Sequence, residues 1–195
     1  MSFPADIQAL QNQLDAAERD AAALISGLTE DLAGWRAKPN SWCVAECLDH
    51  LAITNRVYLT AMQAPALEAR RQGQFRTQPV LPGKIAAVFV RLLEPPPRAR
   101  MKAPRKIQPR PQPPLAEAVA NFLAAQNEVR AFLEAQSDLE LAKVRFPNPF
   151  LPGVRFSLAT GLHVICAHER RHLYQASQAR HAAESVRNNP APPIA

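Results

Sequence analysis

A chain of 195 residues suits one domain and is long enough to bury a core without disulfide or metal staples. No apolar run approaches the ~20 residues of a transmembrane helix, and the N-terminus has neither a basic start nor an apolar stretch, so neither a membrane span nor a secretion signal is expected. Three cysteines, Cys43, Cys47 and Cys166, then read as reduced thiols of a cytoplasmic protein. The net charge of +6 is uneven: from Arg70 to Arg110 there are eleven Lys or Arg against one acid, Glu94, so the rest of the chain is slightly acidic.

In chain order, the first predicted helix runs from about Pro4 to Leu28. Ile7, Leu10, Leu14, Ala17, Ala21, Leu24 and Leu28 recur at three- and four-residue steps. "TEDLAGW" can form one further turn, and "KPNSW" then breaks the chain, with Asn40 or Ser41 available to cap the next helix. The second helix is expected over Cys43 to Arg71, with Val44, Leu48, Leu51, Tyr58 and Met62 on one stripe. Residues 73–113 change character. Ten prolines fall between 73 and 114, which predicts loop or polyproline II, interrupted by "GKIAAVFVRLL" as a buried helix or hydrophobic tab. The third helix is expected from Leu115 to Gln136, "FPNPFLPG" is a second Pro-rich loop, and the fourth helix runs from Ser157 to Ala183. Residues 189–195 read as a flexible tail. With no alternating strand pattern and four long helices, the fold class is all-α, an up-and-down four-helix bundle with a long basic insertion between its second and third helices.

The chemistry concentrates in histidines. In "AHERRHLYQ", His168 and His172 stand four apart on the fourth helix, one turn from each other on one face, a spacing that lets two imidazoles share an ion. Five residues before His168, His163 is turned about 140° away, and His181 is near the helix end. His50 on the second helix is the remaining candidate. The plain alternative is a polar helix face. Glu169, Arg170 and Arg171 look solvent-facing, yet the apolar seam Leu158, Leu162, Ile165 leads to the pair and argues for inward imidazoles. His168, Glu169 and His172 also spell H-E-x-x-H. A zinc peptidase of the longer type needs a further His where Gln178 stands, and the substrate-aligning strand is missing, so that reading is set aside.

"SWCVAECLDHL" (Ser41 to Leu51) and "HERRHLYQ" (His168 to Gln175) resemble the second-helix start and the fourth-helix motif of the DinB-like superfamily. The resemblance implies a four-helix bundle over residues 1–188 with a divalent ion, zinc or nickel, held by His50, His168 and His172, which requires the second and fourth helices to adjoin. It also implies a metal-dependent transferase or hydrolase in which the ion activates a thiol or water. The expected partners are a small-molecule electrophile and a low-molecular-weight thiol, with a homodimer among the expected assemblies. A non-catalytic helical module with a vestigial site is the rival. Three imidazoles leave open coordination positions, the arrangement of a catalytic site. Gln175, one turn beyond His172, would bond a water there or pack between helices. Glu46 and Glu169 would orient an imidazole, serve as base, or be surface acids. Cys43, Cys47 and His50 spell C-x3-C-x2-H, but cysteines packed between helices are the simpler reading. The basic segment would be a solvated loop, a grip on an anionic substrate, or a contact to acidic lipid or nucleic acid. Nucleic acid ranks last because only Phe75 interleaves with the flanking charges.

Overall fold

Helix α1 (Ala5–Ile25) forms where its apolar spacing predicts, and Ile7, Leu10, Leu14, Ala17, Ala21 and Leu24 are the residues it buries. It stops three residues before Leu28 because Gly27 takes a left-handed φ of +69° directly after the last turn. The computed structural model describes residues 3–97 and 102–189. After the short α2 (Glu30–Gly34), α3 (Val44–Arg71) runs through Pro65 to its end. Its cap differs from expectation. Cys43 is the N-cap, and Glu46 reaches back to accept from the Cys43 N–H at 3.1 Å, while Ser41 closes a local turn with Lys38.

Between α3 and the next long helix, "GKIAAVFVRLL" becomes α4 (Lys84–Leu93), and a 3-10 turn forms at Arg105–Ile107. α4 is not a buried helix: Leu93 is buried, but Ile85 is 90% exposed. Then α5 (Leu115–Ala135) and α6 (Leu158–Asn188) complete the helices. α6 outruns its expected end at Ala183, and residues 190–195 of the expected tail lie outside the described residues. The absence of strands is corrected too. β1 (Arg145–Pro147) and β2 (Arg155–Ser157) pair antiparallel, with Phe146 opposite Phe156. The turn between them is tied by the Asn148 side chain, whose oxygen accepts from the N–H groups of Phe150 at 2.8 Å and Leu151 at 3.0 Å.

The protein is mostly helical, six helices and a two-stranded sheet among the described residues. α3 packs against α5 and α6, α1 against α6 and α5, and α4 against α6. The apolar interior falls into two parts. One gathers Leu10, Leu14, Met62, Leu133, Phe146 and Leu158; the other gathers Leu24, Leu48, Leu51, Phe122 and Leu173. No described helix is long and apolar enough to cross a membrane.

Candidate metal centre

The packing of α3 on α6 brings His50 against His168 and His172, as the ligand set requires. Ring centroids are 4.5 Å apart for His50 and His172, 5.0 Å for His50 and His168, and 4.4 Å within the α6 pair. One ring nitrogen of each lies within 4.8 Å of the others. The Nε2 atoms of His50 and His168 are 3.3 Å apart, close to the separation of two ligands sharing a tetrahedral ion at about 2.0–2.1 Å.

His50 sits in the second turn of α3, nearer the helix start than its middle. Its Nδ1–H donates to the Ile107 carbonyl at 2.5 Å, which fixes the tautomer and leaves Nε2 with a lone pair facing the other rings. That carbonyl comes from the basic segment, and the segment is held on α3 by Arg110. The Asp49 carboxylate, 3% exposed, accepts from the Arg110 backbone N–H at 2.8 Å and from its guanidinium at 2.7 and 3.1 Å. This pairing holds the Arg110 guanidinium well above its ordinary pKa. The solvated-loop reading therefore fails for this stretch, which is a built support for His50. Its sequence shows no sign of that, because the partner acid stands on another helix.

Burial keeps all three rings neutral. It pushes His50 down to about 4 and His172 down to about 3, and it drives His168 well below its ordinary value, helped by the repulsion its protonated form would meet from His172, His50 and Arg171. Neutral imidazole is the ligand form. The Nδ1 atoms of His168 and His172 are buried without a hydrogen-bond partner among the described residues, and an ion held through Nε2 of His168 leaves its Nδ1 unmet. The donor set and the spacing together fit a divalent cation.

The cluster opens on a cavity of about 1380 Å³. Trp42, whose ring stands 4.6 Å from His50 and 5.6 Å from His172, forms one wall with Tyr58, Phe89 and Phe150. Gln175 lines the same cavity one turn beyond His172, and its side chain favours the protonated form of that ring against the stronger effect of burial. Arg171 also faces the cavity, and its burial corrects the expectation that it points to solvent.

The two acids are likewise not at the surface. Glu46 caps α3 and binds the Arg36 guanidinium. Glu169 is fully buried on the other side of α6 and does not line the cavity. Its Oε1 accepts from Asn55 of α3 at 2.7 Å and its Oε2 from Gln126 of α5 at 3.2 Å. Burial raises its pKa to about 7, against the lowering effect of those two amides. Asn55 and Gln126 escaped the sequence reading, since an amide inside an apolar stripe carries no signature of its partner. His163 takes no part in the site; its Nε2 bonds the Val80 carbonyl at 3.0 Å. The three cysteines are free and buried, and burial pushes their thiols up, as suits packing residues.

No curated protein and no solved structure gives a significant match to the chain. The profile of one family does, over residues 13–176, which spans α1 to α6 and takes in all three histidines. The chain belongs to the DinB superfamily.

Proposed function

We propose that the chain is a metal-dependent small-molecule transferase or hydrolase of the DinB type, with His50, His168 and His172 holding zinc or nickel. The observation that carries this reading is the convergence of three neutral imidazoles on the floor of an open cavity. A cavity filled by side chains would favour the rival, a binding module without chemistry. We read residues 1–188 as one domain of the four-helix type, with 73–113 as an insertion, and three unpaired cysteines support a cytoplasmic setting.

A divalent ion held there supplies Lewis acidity, which lowers the pKa of a water or thiol toward neutrality. The chain's own residues do the rest. Ile107 fixes the His50 tautomer, and Gln175 lines the cavity one turn beyond His172, where its amide is available to a bound water. Trp42, Tyr58, Phe89 and Phe150 offer an apolar wall to the organic part of an electrophile and keep water from it. Glu169 acts behind the ligands, locking α6 to α3 and α5, since both its oxygens are taken.

The test has two parts. Purified protein should carry close to one divalent ion per chain, and adding Zn²⁺ or Ni²⁺ to stripped protein should raise its melting temperature. A panel of glutathione, cysteine, mycothiol and bacillithiol is then offered with a chromogenic electrophile to wild type and His172→Ala. Equal turnover in both proteins sinks the metal-centred mechanism. Turnover with water alone, abolished in the variant, selects the hydrolase.

A further inference from the structure

We propose that α4 and its flanks form a docking surface for an anionic lipid bilayer, a role independent of the metal reading. α4 packs on α6 through Phe89, Val90 and Leu93, and its other face is apolar as well. Ile85 is 90% exposed, Val88 61% and Leu92 51%, and Leu81, just ahead of the helix, is 57% exposed. At 100° per residue the three helical positions share an arc of about 60°, so they form one continuous stripe. Lys84 and Arg91 border that stripe, roughly 40–60° beyond Val88 by the same geometry.

The charge beside the stripe is unspent. Of the cations in this segment, Arg70, Arg71, Arg76 and Arg110 are held by Asp138, Glu68, Asp6 and Asp49. Its single acid, Glu94, is bound by Arg170 of α6 at 2.5 and 2.9 Å. Among the described residues, Lys84 and Arg91, both exposed, make no ion pair. A surface that satisfies both features must be apolar at depth and anionic at its face. A bilayer bearing acidic headgroups is that surface: the four aliphatic side chains enter the acyl boundary and the cations meet the headgroups. A second copy of the chain would cover the stripe, yet the edge it brings carries the same unpaired Lys84 and Arg91 and no acid of α4 to pair them. Nucleic acid would take up the charge but leave Ile85, Val88 and Leu92 in water, and α4 exposes no aromatic ring for stacking.

The experiment is co-sedimentation of the full chain with vesicles of phosphatidylcholine alone and of phosphatidylcholine mixed with phosphatidylserine. The expected result is binding to the mixed vesicles, at least tenfold weaker without phosphatidylserine and weakened by salt, with a loss of about fivefold for each charge removed in Lys84→Gln and Arg91→Gln. Ile85→Asp should abolish it without touching the fold, since that side chain is almost wholly exposed; unchanged circular dichroism and melting verify this. Three outcomes overturn the proposal. The first is no sedimentation with either vesicle, or Ile85→Asp sedimenting like wild type. The second is a dimer on sizing that Ile85→Asp breaks, which assigns the face to a second copy. The third is RNA oligonucleotide binding that is lost in the charge variants and kept in Ile85→Asp, which assigns it to nucleic acid.

Discussion

His50 shows how a ligand depends on residues that touch no ion. Its ring is held by the Ile107 carbonyl, and that carbonyl is in place because Arg110 is clamped to the buried Asp49 one residue before His50. Supports of this kind typically change metal affinity 10–100-fold when removed. Asp49→Asn should therefore weaken zinc affinity by about that factor with all three ligands intact, as read by competition with a chromophoric chelator. Arg110 is 45% exposed in its side chain, so it can turn to water and the variant strands no buried charge. Equal affinity in both proteins would reduce the Asp49–Arg110 contact to a fold-stabilising one. The ligands themselves were legible because four-residue spacing on a helix is visible in one sequence, and His50 was reached through the motif around it. The supports were not legible. The roles of Glu46 and Glu169 stay open, and Asp49 carries no signal, until the Cys43 cap, the Arg110 guanidinium and the two amides that hold them are seen.

Among the elements, α3 and α6 matter most, since the site exists only where they adjoin. Their approach is set near Gly161. A Cβ built there would stand 2.7 Å from the Met62 sulfur and 2.9 Å from Cζ of Phe146, both fully buried. Gly161→Ala gains up to about 1 kcal/mol of helix propensity and meets an overpacking cost of roughly 1–3 kcal/mol. Met62 can bend away, but the Phe146 ring is fixed by its strand, so the cost should win by about 1 kcal/mol. For a chain this size that lowers the melting temperature by about 2–4 °C. A melting point unchanged or raised would mean that the helices slide apart at no cost. The long helices were legible from their 3.6-residue period. The hairpin that presses Phe146 onto this crossing was not, because strands of three residues are too short to show alternation. α4 was legible as an apolar piece only; which of its faces is covered depends on α6.

Across the whole molecule, one polar layer divides the two apolar parts of the core. Asn55, Gln126 and Glu169 each fall between the residues that their helix gives to one part and to the other, and His168 is the neighbour of Glu169. The layer makes stability depend on pH in a way that can be worked out in sign. The three imidazoles have folded pKa values pushed below the ordinary 6.5, to about 4 for His50 and about 3 for His172, with His168 also well below. Their contribution is whole above pH 6.5 and is lost as the pH falls toward those values, because only the unfolded chain takes up their protons. Glu169 works the other way. Its folded pKa is raised from the ordinary 4.5 to about 7, so between those values the folded chain holds a proton that the unfolded chain releases. Near pH 5–6 these four groups thus leave the unfolded state with a net excess of about two protons, each worth about 1.4 kcal/mol per pH unit. The half-buried His163, also lowered, adds in the same direction. The urea midpoint of chelator-treated protein should climb with pH across that window. Glu169→Gln should climb more steeply, by about one proton's worth, since it removes the opposing group and keeps an amide able to bond Asn55 and Gln126. A wild-type midpoint flat from pH 5 to 7 would mean that the imidazoles protonate within the fold. Such rings are not the neutral, buried ligands on which the metal reading depends.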